Sequence, residues 1–176
     1  MNIPSKVSSI EIENMKTEDL LKVHQVQLSV YSKEFHEVYD CFREKFNVYP
    51  QGCFVARKTD NDSVVGYCFS HPISFPNIPS LNGSAKAVEN PNSYFIHDLA
   101  LSQDARGLKV GKALYTRVLK VAEDLDFKQI YLISVQQSRK FWEQAGFIEV
   151  DNMEEKMISL KMIYGPDACL MQKISK

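Results

Sequence analysis

The residues best suited to chemistry fall in one run, from His97 and Asp98 through Arg106-Gly107-Leu108-Lys109-Val110-Gly111-Lys112. His97 has an intrinsic pKa suited to proton transfer near neutral pH, and Asp98 stands beside it. Downstream, Val110, Ala113, Leu114, Val118, Val121, Ala122 and Leu125 fall on one helical stripe, which predicts a helix over 110–125. The first turn of a helix carries unpaired N–H groups and a partial positive charge. Arg106, Lys109 and Lys112 add cations at that same end, where a purely structural helix would favour acids. Gly107 and Gly111 allow a ligand close to the backbone. Together these residues describe a cradle for an anion, most naturally a pyrophosphate. The plainer alternative is a solvated basic helix start with an incidental glycine.

Other chemistries find little support. Cys41, Cys53, Cys68 and Cys169 have neither zinc-site nor redox-pair spacing, and three lie in apolar runs; reduced cysteines and a cytoplasmic location are expected. His24, His36, His71 and His97 are scattered, so no metal is expected. The 176 residues hold 21 Lys plus Arg against 22 Asp plus Glu, a net charge of -1, so no global field attracts nucleic acid or an anionic membrane. No apolar run approaches the roughly 18 residues of a membrane span.

The length suggests one domain over 1–176. A strand is expected over Val7–Asn14. Thr17 offers an N-cap for a first helix carrying Leu20, Leu21, His24, Leu28 and Tyr31. A second helix is expected over Lys33–Phe46, ended by Tyr49-Pro50-Gln51-Gly52. Cys53–Arg57 and Ser63–Ser70 read as a hairpin. From 72 to 92 a stretch with four prolines reads as a long loop, either a lid over a binding cleft or a plain surface insertion. Tyr94–Leu101 is the next strand. Gln129–Val135, almost continuously apolar, reads as a central strand covered on both faces. Ser138 is placed to cap a short helix ending at Gly146, and strands follow at Phe147–Val150 and Ala168–Ile174. This order predicts an α/β fold with a mixed sheet of about seven strands flanked by about four helices.

The central run resembles the GNAT superfamily of acyl-CoA-dependent N-acyltransferases. Its cofactor signature, Q/R-x-x-G-x-G/A, is met by Arg106 at the first position and Gly111 at the last. Lys109 stands in place of the inner glycine, while Gly107 directly follows Arg106. Asp98-Leu99-Ala100-Leu101 is similar to the family strand ending in LAV. Phe141-Trp142-Glu143-Gln144-Ala145-Gly146-Phe147 resembles the family's FYExxGF helix, and Tyr164-Gly165 with Ala168–Lys173 resembles the C-terminal strand of some members. The resemblance covers about residues 7–174. It implies acetyl-CoA as cosubstrate, with Leu99, Ala100 and Leu101 pairing with the pantetheine arm. It also implies that backbone amides of Gly107, Leu108, Lys109, Val110, Gly111 and Lys112 bind the pyrophosphate. Lys109 is expected to serve provided its φ stays negative. Phe141 and Trp142 would wall the pantetheine channel, with Ser138 beside it.

The implied reaction is acetyl transfer from acetyl-CoA to a primary amine by direct attack in a ternary complex. The amine must lose a proton, the thioester oxygen must be held, and the leaving thiolate must be protonated. His97 and Asp98 are the two candidate bases. His97 should share a strand face with Leu99, and Asp98 should face away unless a bulge intervenes. The family's usual acid, the tyrosine of FYExxGF, is here Trp142, whose indole cannot protonate a thiolate. Tyr164, Ser138 or water inherits that role. Tyr31, Glu34, Phe35, His36 and Glu37 are available to the acceptor, which is expected to be a small molecule. A protein lysine or N-terminal acetyltransferase, or a non-catalytic acyl-CoA-binding module, stands as the alternative. The chain is expected to act as a monomer or homodimer.

Overall fold

The computed structural model describes residues 9–83, 86–151 and 153–174. Seven strands form one sheet: β1 (Ile10–Asn14), β2 (Cys53–Lys58), β3 (Val64–Ile73), β4 (Ser93–Leu101), β5 (Gln129–Ser134), β6 (Ile148–Glu149) and β7 (Cys169–Ile174), in the order β1-β2-β3-β4-β5-β7-β6. Neighbours are antiparallel except β4 and β5. A parallel step needs a crossover connection, and α3 (Val110–Asp124) supplies it. The remaining helices are α1 (Leu20–Val30), α2 (Tyr39–Val48), α4 (Arg139–Gln144) and α5 (Glu154–Tyr164). The start of the expected first strand, Val7 and Ser8, lies outside the described residues.

Both faces of the sheet are covered. The stripe of α3, Val110, Leu114, Val118 and Ala122, is buried against Phe54, Val65, Tyr94 and Ile130. Each fully buried branched or aromatic side chain there contributes about 1.5–3 kcal/mol relative to exposure. On the opposite face α1 and α2 bury Leu20, Val23, Phe42 and Phe46 against Val55, Tyr67 and Phe69 of the first half of the sheet. Leu160 and Tyr164 of α5 cover Phe95, Tyr131 and Leu170 of the second half. Arg57 of β2 ties down the entry to α1 by bonding Asp19 at 2.7 Å. Thr17 does not cap that entry: it opens a single 3-10 turn, Thr17–Asp19, and the Asp19 carboxylate instead accepts from the Lys16 N–H at 2.9 Å.

Three further elements differ from the sequence reading. The helix expected over Lys33–Phe46 divides into a 3-10 turn, Lys33–Phe35, an extended link, and α2. The link turns Glu37 inward, where it pairs with Lys45, both side chains being almost fully buried. A continuous helix would hold these two residues eight apart and leave the pair unmade. The second difference is α5, which sequence periodicity does not reveal. It buries Leu160 and Tyr164 but exposes Ile158, Met162 and Ile163, so apolar residues lie all round it. Tyr164 therefore ends a helix and does not begin the last strand. Third, β3 runs on to Ile73, so the long loop spans 74–92. Among its described residues this loop is fastened down: Phe75 stacks on Tyr131 with ring centroids 4.0 Å apart, and Asn92 bonds both the N–H and the carbonyl of Phe75.

Candidate active site

β4 is paired with β5 only over Tyr94–Ile96, opposite Ile130–Leu132. Beyond that point the two strands part, and their free edges open onto a cavity of about 240 Å³. The cause lies on the other side of β4. Its pairing with β3 matches Asp98 to Phe69 and then Ile96 to Ser70, leaving His97 as an extra residue. Such a bulge bends the strand and breaks the two-residue alternation of its side chains. His97, Asp98 and Leu99 all line the cavity, but the bulge turns His97 and Asp98 to the same face, beside Phe95 and Tyr67, while Leu99 packs with the core under α3; the expectation that His97 shares a face with Leu99 is thus corrected. Regular alternation would have turned Asp98 to the opposite face; the bulge is the condition under which it is not.

Toward the C-terminal end of β4 the cavity is bounded by Leu99, Ala100, Leu101, Arg106, Ser138, Phe141 and Trp142. The chain then turns into α3 through Gly107, at φ 75°, and Lys109, at φ 60°. The expectation of a negative φ at Lys109 is thus corrected. Two left-handed residues are needed to reverse the chain between the 3-10 turn Gln103–Ala105 and α3, and only one is glycine. For Lys109 that conformation costs about 1–2 kcal/mol. Among the described residues no acceptor bonds the N–H groups of Gly107 to Lys112, as expected at an uncapped helix start. Gly111 packs tightly: a Cβ there would lie 3.1–3.3 Å from the Phe141 ring and Leu101. Arg106 lines the cavity, and Gly111 joins it only through its contact with Phe141 and Leu101, which do.

α4 presents Phe141 and Trp142, which meet edge to face at 4.8 Å. Trp142 is buried against Tyr115 and Phe147. Ser138 holds the cap position of α4, yet its hydroxyl does not cap the helix. It accepts from the Val135 N–H at 3.2 Å and lies 3.1 Å from the Ser134 hydroxyl.

Around His97 the cavity is polar. Asp98 accepts from the Tyr31 hydroxyl at 2.7 Å and from the Tyr67 hydroxyl at 2.5 Å, so both of its oxygens are engaged. Burial pushes its carboxyl above the usual carboxylate range, partly opposed by nearby Lys45 and the two phenols. His97 Nδ1 stands 3.2 Å from Nε2 of His71. Burial holds the His97 pKa well below the usual histidine value, with Lys45 and His71 adding to the effect. Gln27, on α1, gives its Nε2 hydrogen to the Phe35 carbonyl at 2.7 Å, which leaves its buried Oε1 without a donor. Glu37 accepts from the Asn82 N–H at 2.9 Å through its other oxygen. Tyr164 lines the cavity but donates its hydroxyl to the Pro79 carbonyl at 3.0 Å, and burial raises its pKa.

Of the residues expected near the acceptor, Tyr31, Phe35 and Glu37 line the cavity. Glu34 lies outside, at an adjoining hollow, and His36 turns to bond the Tyr31 carbonyl at 2.9 Å. Gln27, Tyr67 and His71 carry no sequence signal. They stand among other polar residues of α1 and β3 with no spacing that marks them, and only packing across the fold brings them to the cavity. Among the described residues no three His, Cys, Asp or Glu side chains stand together as a metal site would require, and no helix is long and apolar enough to cross a membrane.

The profile of the acetyltransferase (GNAT) family matches residues 17–147. The chain belongs to the GNAT family. Solved structures share its fold over nearly the whole length. The loading GNATL domain of CurA from Lyngbya majuscula aligns with a TM-score of 0.71 at 12% identity, covering 94% of this chain and 98% of that one. Naa50 of Arabidopsis thaliana, solved with the bisubstrate analogue CoA-Ac-MVNAL, aligns at 0.65 and 15% identity, covering 95% and 99%. The PaiA N-acetyltransferase of Thermoplasma acidophilum, solved with coenzyme A, aligns at 0.63 and 18% identity, covering 95% and 99%. No curated protein matches the chain by sequence. Within this GNAT fold the parted strands and the Phe141–Trp142 wall meet at one opening, the start of α3 packs on Phe141 through Gly111, and the unbonded amides with the open space at Gly107 fit a phosphate-bearing cosubstrate.

Proposed function

We propose that this GNAT protein transfers an acetyl group from acetyl-CoA to the primary amine of a small acceptor. The observation that carries this reading is the bulge at His97, which brings a histidine and the free edge of β4 to one cavity ending at an unbonded helix start. Acetyl-CoA would supply an activated acyl group whose sulfur departs as a thiolate. The amides of Gly107–Lys112 would hold its pyrophosphate, with the Arg106 and Lys112 cations adding attraction. The free edge of β4 at Leu99, Ala100 and Leu101 would pair with the amide-bearing arm, and Phe141 and Trp142 would flank it.

The remaining work is proton movement by this chain's own groups. An ammonium must lose one proton before it can attack, and His97 is the group suited to take it. Its lowered pKa keeps it neutral at pH 7 and therefore ready as a base. Asp98 serves as an anchor, since both oxygens are already bonded by tyrosine hydroxyls. The sulfur must gain a proton; Ser138 and Tyr164 are the hydroxyls lining the cavity, and either could pass one from solvent. The acceptor end offers lone pairs in excess of donors, Gln27 Oε1 among them, which suits a substrate rich in N–H. The described part of the loop reaches this end, with Leu81 in the wall and Tyr164 fastened to Pro79. That closure favours a small amine over a peptide chain.

Turnover of acetyl-CoA with a panel of small amines, lysine peptides and N-terminal peptides tests the reading. Small amines are expected to be acetylated, and Gly111→Glu is expected to lower CoA affinity by tenfold or more. The added bulk must displace Phe141 from the cavity wall, and the added carboxylate repels phosphate. Undiminished affinity would place the cradle elsewhere, and exclusive activity on peptides would transfer the acceptor assignment to protein ends.

A further inference from the structure

The ring nitrogens of two histidines on neighbouring strands form a directional chain. His71, on β3, is buried, and its Nδ1 lies 3.0 Å from the Pro72 carbonyl oxygen. A carbonyl can only accept, so that nitrogen carries the hydrogen. A neutral His71 then has a bare Nε2, which can only accept. The atom facing it at 3.2 Å is His97 Nδ1, which must therefore be the donor. His97 is left with its hydrogen on Nδ1 and a lone pair on Nε2, and no described protein group bonds that Nε2. We propose that His71 is a positioning residue that fixes the tautomer and ring orientation of His97, so that Nε2 is presented to the acceptor nitrogen as the base.

The proposal deepens the acetyltransferase reading and rests on it for the identity of the reacting nitrogen. In the step itself an N–H bond of the substrate ammonium breaks and an Nε2–H bond forms. The resulting imidazolium keeps its Nδ1–H on the His71 lone pair, a hydrogen bond that strengthens when its donor becomes charged. The proton returns to solvent after product leaves. His71 adds no charge of its own at neutral pH, because burial lowers its pKa from the usual histidine value. The opposite tautomer would place a hydrogen on His97 Nε2 and remove the base. Protonated His71 would enforce that tautomer, since it would donate to His97 Nδ1. The charged and titratable groups around the pair are Tyr31 just after α1, Glu37 in the link before α2, Lys45 on α2, Tyr67 on β3, Asp98 on β4 and Tyr164 on α5. Glu37 and Lys45 neutralise each other, and Asp98 is held by two phenols.

The test compares His71→Leu, which removes the acceptor, with His71→Gln, whose side-chain carbonyl can accept from His97 Nδ1. His71→Leu is expected to lower kcat about tenfold or more, to leave the acetyl-CoA Kd within about twofold and the acceptor KM within a few-fold, and to shift the acid limb of the pH profile. His71→Gln is expected to recover most of kcat. Equal loss in both variants together with lowered thermal midpoints would reduce His71 to a packing role and overturn the proposal, as would an unchanged pH profile in His71→Leu. Nitrogen-15 NMR of the histidines in the unmodified protein needs neither a variant nor a substrate. Observing His97 with Nδ1 protonated at pH 7.5 supports the device, and observing Nε2–H overturns it. Because that measurement is blind to turnover, a correct tautomer in a protein that acetylates no amine would separate failure of the acetyltransferase reading from failure of this one.

Discussion

The two ends of the cavity are built on different principles. The end proposed to hold the cosubstrate is one contiguous segment, Leu101 to Lys112, whose chemistry is that of the backbone: unbonded N–H groups at the start of α3 and a glycine pressed against Phe141. The end around His97 is assembled from α1, α5, the link before α2 and three separate stretches of sheet and loop, and its chemistry is that of side chains. Backbone amides tolerate varied side chains, which explains why Lys109 can stand in the turn at a left-handed φ. Side-chain proton transfer tolerates little, because reach and tautomer both depend on neighbours. Substitutions at the cradle should therefore act on binding, and substitutions near His97 should act on rate.

The largest break in that contrast is expected from His97→Ala. Loss of a general base lowers the rate by roughly 10²–10⁴-fold, while CoA affinity measured by calorimetry should stay within about twofold. An equal fall in both would mean that the two ends are not separable. A smaller change is expected at Asp98. Asp98→Asn retains the shape but weakens the two phenol bonds, and it should cost about 1–2 kcal/mol of stability in urea titrations with less than tenfold loss in kcat. The reverse ranking of the two variants would make Asp98 the base.

The smallest effect concerns stability against pH. His71 and His97 are held below the usual histidine value in the folded protein. The unfolded chain then binds protons that the folded chain refuses, so their contribution is complete above about pH 6.5 and is lost as pH falls through the depressed folded values. The urea midpoint should drop between pH 7.5 and 5.5, and less so in His97→Gln. Asp98, raised in the folded state by burial, works in the opposite direction, with its window opening above the unfolded carboxylate value near 4. A midpoint that rose over the histidine range would show the Asp98 contribution to dominate.

Much of this was legible in the chain itself. The stripe on α3, the apolar run of β5 and the hairpin of β2 and β3 are short-range patterns, and each lies within two residues of its expected bounds apart from the three-residue extension of β3. The unbonded helix start proposed to hold the pyrophosphate was legible for the same reason: its glycines and cations are neighbours in sequence, and a helix start supplies the N–H groups whatever surrounds it. What the tertiary structure alone decided were the features that depend on pairing across the sheet or on burial. Whether Asp98 joined His97 in the cavity hung on a one-residue mismatch with β3, which no periodicity in β4 encodes. The inward turn at Glu37 required Lys45 to be buried beside it. The helix α5 needed Tyr131 and Leu170 to cover, since its own apolar residues face in several directions. The hydrogen on His97 is set by a carbonyl at Pro72 through an intervening ring on another strand. Local sequence determines which backbone groups are left unbonded; only the packed fold determines which side chains meet, and with them the state of the proton.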